Sequence, residues 1–471
     1  MPLLPRSDAT RAAAATGVNA ALRLPHKLHV QTNPIFECFR YGRPVNAQAS
    51  GAQRARQSRM GTGDVVEIAN SAAAHRASLS EAIASRSRLD PVHTDALVPL
   101  TAMATEQWRE LAARAIEPNG YYLPDWQLAV NASAPGRTDG SALSAWSDAE
   151  PSARQLIGLL PAISLWRACK IPLPALASAD PYGTLCTPLL DRDRAYDAVA
   201  GLMRQANESG ARALILRDMS LGGAAMRTIT HVLGASGLKP YVLKSHARAC
   251  LDASRDADQL LRESLGPKKL KELRRQRSRL AEHGEVVFEV ARTPAEVAGG
   301  LEIFLSLEAS GWKGRRGTAL NQNDGDASFI RRATLALAER GSCEIVTLRC
   351  GATAVAAAIV PRHQDRAFYF KLGIDERFAK FSPGVQLTLD LTRHLCADPA
   401  IRTADSTASA GHPMIDPIWR GRLAIGDVLI PLRRRDPVVS LIHAAVMLHR
   451  RGRETAGSIA RFIRSRHEKR A

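Results

Sequence analysis

The chain has 471 residues, 45% of them hydrophobic and 5% aromatic, with 64 Lys and Arg against 46 Asp and Glu for a net charge of +18. That length holds two or three domains with full cores, and that charge asks for anionic partners: nucleic acid, anionic lipid or a phosphorylated cofactor. Seven scattered cysteines with no CxxC pair exclude a disulfide framework and a zinc site, and no apolar run reaches the length of a bilayer span. With no charged-then-apolar segment at the start, the sequence reads as cytoplasmic.

Residues 1–90 are rich in Ala, Arg, Ser and Gln and hold no apolar period, which predicts a disordered tail. Order is expected from Thr105: a helix over Glu106–Ala115, a strand over Trp126–Val130, and a hairpin of Leu156–Leu160 with Ile163–Ala168. The loop Asp180-Pro181-Tyr182-Gly183 follows. Then come a helix over Arg192–Gln205, a strand over Ala213–Leu216, a helix over Gly222–Leu233 and a strand over Pro240–Ala247.

Pro267 suits a helix start, and Leu270, Leu273 and Leu280 fall on one face of the basic stretch that runs to Leu280. Its cationic face is either a solvated surface or the wall of a groove for an anionic ligand. Thr293-Pro294-Ala295-Glu296 is a capping box, and Val297, Leu301, Phe304, Glu308 and Trp312 form one stripe along the helix that it opens. Glu308 therefore points inward, where a carboxylate must be paired, hydrogen-bonded or protonated. Beyond Gly311, Trp312, Lys313 and Arg315 form a loop that suits an acyl chain or a phosphate, or serves as a plain helix cap.

Cys343–Cys350, Ala354–Pro361 and Ala367–Gly373 read as three strands. Alternation along the third puts Phe368 and Phe370 on one face, Tyr369 and Lys371 on the other. The next parallel strand, Ile401–Asp405, brings Asp405 and Ser406 near Lys371 at the carboxyl edge of the sheet, as a ligand site or as an ion pair stapling two strands. Between them Ser382-Pro383-Gly384 opens a helix over Pro383–Cys396. Ser at the cap, Pro at the first helical position and Gly beside it leave backbone N–H groups bare, either as an ordinary capped helix or as an anion site for a phosphate-bearing cofactor. Ile425–Leu432 is the last strand. The tail Val438–Arg464 reads as amphipathic helix, with Leu441, Ile442, Ala445 and Leu448 inward, docked on the domain or lying on an anionic membrane surface.

The element order of the first half roughly recurs in the second, which predicts two copies of one α/β unit; a single large mixed sheet is the alternative. Phe304-Leu305-Ser306-Leu307-Glu308, Gly311-Trp312-Lys313-Gly314, Tyr369-Phe370-Lys371 and Ser382-Pro383-Gly384 together resemble the GNAT-superfamily acyltransferases of the CelD type. These are relatives of the FemAB aminoacyl transferases, often associated with exopolysaccharide or cellulose production. Trp108, Pro181-Tyr182-Gly183 and Thr187-Pro188-Leu189-Leu190 fit the same pattern.

The resemblance implies an α/β fold with a mixed α+β sheet in tandem GNAT-like domains. They would span residues 100–255 and 284–435, joined by a basic helix at 256–283 and followed by a basic tail at 436–471. It implies an acyl-CoA, such as acetyl-CoA, as co-substrate without a metal, an amine acceptor, and polysaccharide-synthesis machinery as a partner. Glu308 or Asp405 would act as the base, with Lys371 or Tyr369 steadying the leaving thiolate or the acceptor. Phe381, Ser382, Pro383 and Gly384 would hold the cofactor; Trp312, Lys313 and Arg315 would hold substrate. From Arg377 to Gly384 the chain has one glycine and departs from the usual GNAT cofactor signature, Q/R-x-x-G-x-G/A. A Fem-like use of aminoacyl-tRNA and a non-catalytic accessory role are the alternatives.

Overall fold

The structure, a computed structural model, describes residues 97–148 and 154–468, so the expected tail over 1–90 lies outside the described residues. Two runs of elements repeat one plan. In the first, β1 (Val98–Pro99) leads through α1 (Thr105–Ala113) and α2 (Pro124–Ser133) to β2 (Ser141–Trp146) and β3 (Leu156–Ser164). After the short α3 (Leu165–Cys169) come β4 (Ala175–Ser178), β5 (Leu189–Leu190), α4 (Ala195–Glu208), β6 (Ala213–Ser220), α5 (Ala224–Ala235) and β7 (Tyr241–Asp252). The connecting α6 (Ala257–Ala281) leads to β8 (Val286–Ala291), α7 (Pro294–Ser310), α8 (Trp312–Arg315) and α9 (Asp324–Ala338). Then follow β9 (Cys343–Cys350), β10 (Thr353–His363), β11 (Arg366–Phe368), β12 (Lys371–Ile374), α10 (Pro383–Ala397), β13 (Thr403–Asp405), β14 (Gly421–Pro431) and α11 (Pro437–Glu468).

The duplication is written in the pairing. β1, β2, β3, β4, β6 and β14 lie side by side, and so do β8, β9, β10, β11, β13 and β7. In each set three antiparallel pairings are followed by one parallel and one antiparallel. In each set the fourth strand is also broken in two, with both pieces on the third: β4 and β5 on β3, β11 and β12 on β10. The units exchange their sixth strand. β7 from the first half of the chain completes the second unit, and β14, expected within the second, crosses back to pair with β6. Antiparallel pairing of β7 with β14 welds both units into one fourteen-stranded sheet.

Several local expectations change. Trp126–Val130 is helical: Pro124 takes the first helical position, and Trp126, Ala129 and Val130 are buried at helical spacing, outweighing the strand preference of Trp and Val. The expected hairpin around Pro161 is one strand, β3, followed by α3, whose first turn is capped by Ser164. Pro161 is tolerated because it falls where β3 changes partner from β5 to β4; its carbonyl, on the same side as the missing N–H, accepts from Ala179 N.

In α6, Gly266 (φ 71°) breaks the helix and Pro267 restarts it, with Leu270, Leu273 and Leu280 buried as the spacing predicts. On α11 the buried stripe is Val439, Ile442 and Val446, packed on Leu243 and Leu429, whereas Leu441 and Leu448 are 51% and 73% exposed. Both stripes have helical period, and only the sheet beneath selects between them. Among the described residues no helix is long and apolar enough to cross a membrane.

Candidate active site

The break in the fourth strand of the second unit organises the site. β11 runs parallel to β13 from Arg366 opposite Thr403 to Phe368 opposite Asp405, and Tyr369 N still donates to Asp405 O at 2.9 Å. The next amide, Phe370 N, turns to Ile359 O of β10 at 3.0 Å, and the register against β10 slips by one residue between β11 and β12. This bulge keeps β12 on β10 while the chain after β13 turns away at Thr407 (φ 51°). The two strands therefore diverge just past Tyr369.

The expected alternation holds for Phe368 and Phe370 against Tyr369, and the bulge changes it at Lys371. Phe370 packs with the core around Trp126 and Phe329, and the Lys371 ammonium lies 5.5 Å from the Phe370 ring. Tyr369 goes the other way: its hydroxyl meets Thr388 Oγ1 at 3.1 Å and its ring lies beside Trp419. Tyr369 is thus a core residue, and burial pushes its phenol above the usual range.

Two expected carboxylates are already engaged. Glu308, 3% exposed, accepts from Lys313 Nζ at 3.0 Å and from Leu320 N at 2.9 Å. Asp405 accepts from Arg248 of β7 at 2.5 Å and from Thr407 N at 2.9 Å, so the buried cation it pairs with is Arg248. Arg248 in turn donates to the carbonyl and hydroxyl oxygens of Thr184 in the first unit.

A third carboxylate, not singled out by sequence, stands at the mouth. Asp326 lies in the first turn of α9, whose start is capped by Asn323, and its Oδ1 is buried with no hydrogen-bond partner. Burial holds its carboxyl above the usual range; the Tyr182 hydroxyl, Arg137 and Lys371 pull it down, and Glu308 pushes it up again. Tyr182 arrives from the first unit, its ring 4.7 Å from that of Phe329, with the Arg137 guanidinium 4.2 Å from its centroid and 3.4 Å from Asp180. Tyr182 had a signal in the Pro-Tyr-Gly turn; Asp326 looked like any acidic residue opening a helix.

The helix start is built differently from expectation. Residues Glu376–Phe381 form a 3-10 helix in place of a glycine loop. Ser382 sits at the cap of α10 with φ 54°, and its side chain makes no capping bond. Pro383 takes the first helical position. Gly384 is pressed against β12: a Cβ there would stand 3.0 Å from Leu372 and 3.3 Å from Ile374. Phe381 is buried against His283 and Phe378. The expected loop Trp312–Arg315 is the helical turn α8, tied to the same segment because Glu376 accepts from Trp312 N and from Arg315, each at 2.7 Å.

The first unit lacks this opening. Its parallel strand β6 also turns with positive φ, at Asp218 (φ 45°), but the chain's own residues 185–187 are buried there and Cys186 N donates to Asp218 O. Asp197 lies in the first turn of α4, where an anion would sit.

Residues 267–411 match the family described as acetyltransferase (GNAT) domain. The match spans the elements just described in the second unit, from Pro267 to the chain beyond β13, and it supports an acyltransferase. No curated relative matches the sequence. Among solved structures, FemX is similar at 13% identity over 72% of this chain and 98% of its own, with a TM-score of 0.49. The C-terminal domain (DUF2156) of a putative lysylphosphatidylglycerol synthetase from Agrobacterium fabrum is similar at 14% identity, over 73% and 95%, with a TM-score of 0.45. A tandem GNAT protein from the clavulanic acid biosynthesis pathway is similar at 14% identity, over 72% and 99%, with a TM-score of 0.33.

Proposed function

We propose that the chain is an N-acyltransferase that moves an acyl group from an acyl-CoA thioester to an amine, with its working site in the second unit. The observation that carries this is the divergence of β12 from β13 beside the uncapped Ser-Pro-Gly start of α10. The bare N–H groups of that start suit the cofactor pyrophosphate, and the thioester reaches between the strands. Asp326 takes a proton from the acceptor ammonium, directly or through water. The free amine attacks the carbonyl carbon, the C–N bond forms and the C–S bond breaks. The second proton lost by nitrogen goes to the thiolate, which Lys371 steadies as it leaves. Glu308 holds Lys313 and the Leu320 amide in place, and Asp405 holds Arg248; both are positioning residues in this reading. Trp312 and Arg315 form the outer wall toward the acceptor.

The acceptor setting that the CelD resemblance implies is cytoplasmic synthesis of exopolysaccharide, cellulose or cell envelope. A second reading has its own observation. Lys268, Lys269, Lys271 and Arg275 of α6 border an open cavity of about 630 Å³. That helix runs alongside α10, with Gln386 Nε2 on Leu273 O and Arg277 on Asp390. A cationic wall beside the donor site suits an aminoacyl-tRNA in place of acyl-CoA. Release of free thiol from acetyl-CoA, followed against a panel of amines, separates the two. Amine-dependent release supports acyl-CoA; no release, with tRNA binding that falls steeply with salt, supports the Fem-like reading.

A further inference from the structure

We infer that Tyr121, carried by the first unit, closes the inner end of the gap between the diverging strands, so that the transferred acyl group is a short one, and that its hydroxyl donates to the thioester carbonyl. This rests on the acyl-CoA reading above. Tyr121 has no exposed surface. Its ring centroid lies 5.3 Å from Phe368 and 5.9 Å from Phe370, the two rings on either side of the bulge, and 5.3 Å from Trp126. Trp126 in turn stands edge-on to Phe370 at 5.0 Å and to Phe329 at 5.2 Å. A chain entering past Tyr369 therefore meets a wall of interlocked rings that stops a long acyl chain.

The hydroxyl end points to the place where β13 leaves the sheet. It lies toward Asp405 and Arg248 with the Thr407 side chain beside it, and it is buried with no hydrogen bond of good geometry. A buried phenol with an unsatisfied donor is costly, and a ligand oxygen would satisfy it. Burial and the nearby Asp405 push its pKa up, so it stays protonated and able to donate at every working pH.

The ring is also held in place. Tyr121 N donates to Asn119 Oδ1, and Asn119 Nδ2 donates to the carbonyls of Leu185 and Thr187. Behind the ring stands Gly183, where any Cβ would fall 2.5 Å from it. Such bracing is what a wall that sets acyl length requires, since a loose ring would yield to a longer chain.

The test is calorimetric binding of free CoA and of acetyl-, propionyl-, octanoyl- and palmitoyl-CoA to the full chain. Acetyl- or propionyl-CoA binding at least tenfold tighter than octanoyl-CoA is the expected result; octanoyl- or palmitoyl-CoA binding as tightly as acetyl-CoA overturns the inference while leaving the acyl-CoA reading intact. Silence from every species, free CoA included, overturns both. Tyr121→Phe keeps the ring and should weaken acetyl-CoA by about tenfold relative to free CoA with the length order unchanged; an unchanged ratio removes the hydroxyl's role. Tyr121→Ala should raise octanoyl-CoA relative to acetyl-CoA. Should that variant not fold, the wild-type length order and Tyr121→Phe still decide the matter.

Discussion

Arg248 of β7 and Asp405 of β13 meet at 2.5 Å with each side chain 1% exposed, forming a buried ion pair between the strand lent by the first unit and a strand of the second. Removing one member leaves the other charged and unpaired where solvent does not reach it. Asp405→Asn or Arg248→Met should therefore cost about 3–5 kcal/mol, read by denaturant unfolding. Replacing both by apolar residues should recover most of that loss. A single variant within about 0.5 kcal/mol of the parent would show that the pair is not the seam described.

Asp326 gives the clearest division between chemistry and structure. Asp326→Asn keeps the shape of the side chain and should lower turnover about a hundredfold or more, with the thermal midpoint little changed. Because burial raises its pKa, and the reaction needs the ionised form, the wild-type rate should rise with pH through a value above the usual aspartate range. That acid limb should vanish in the variant. Persistence of both rate and limb would remove Asp326 from the mechanism.

Glu308→Gln is expected to act through geometry. Its two oxygens hold Lys313 and the Leu320 amide, so the variant should lower stability along with activity, whereas Asp326→Asn lowers activity alone. Normal stability with a hundredfold loss of turnover in Glu308→Gln would restore it as the base.

Glu344 on β9 sets an acid limit on the fold. Burial pushes its carboxyl up, but His394, Arg292 and Arg362 outweigh that and hold it at about 2. Its folded value lies below its ordinary 4.5, so its stabilisation is fully present above pH 4.5 and is lost as the pH falls through about 2. The midpoint of Glu344→Gln should fall less steeply than wild type across that window, and parallel curves would deny the group this role.

Local chemistry was legible in the sequence where it did not depend on distant strands. The Thr293–Glu296 capping box, the helix start at Pro267 and the inward Glu308 follow from spacing alone, whereas the pairing of Glu308 with Lys313 is known only from the structure. The duplication was legible as an order of elements, but the exchange of β7 and β14 was not, because pairing partners leave no mark on a strand's own residues. The one-residue bulge at Tyr369 and Phe370 escaped for the same reason: only register against β10 reveals it, and it turns Lys371 off the Tyr369 face. The pairing of Asp405 with Arg248 escaped too, since nothing near Asp405 in sequence points to a residue 157 positions away. Tyr121 and Tyr182 meet Phe368 and Phe329 across the unit boundary, which no periodicity encodes.

The central claim, an acyl-CoA donor seated on the start of α10, is tested most directly by the thermal midpoint of the full chain with acetyl-CoA, beside Gly384→Asp. At a hundredfold excess over its dissociation constant the ligand should add about 2.7 kcal/mol, a readily measured rise. Gly384→Asp, whose side chain crowds Leu372 and Ile374 and sets a negative charge at the helix start, should abolish that rise. A rise of equal size in the variant would place the donor elsewhere, and no rise in the wild type with any CoA would contradict the account.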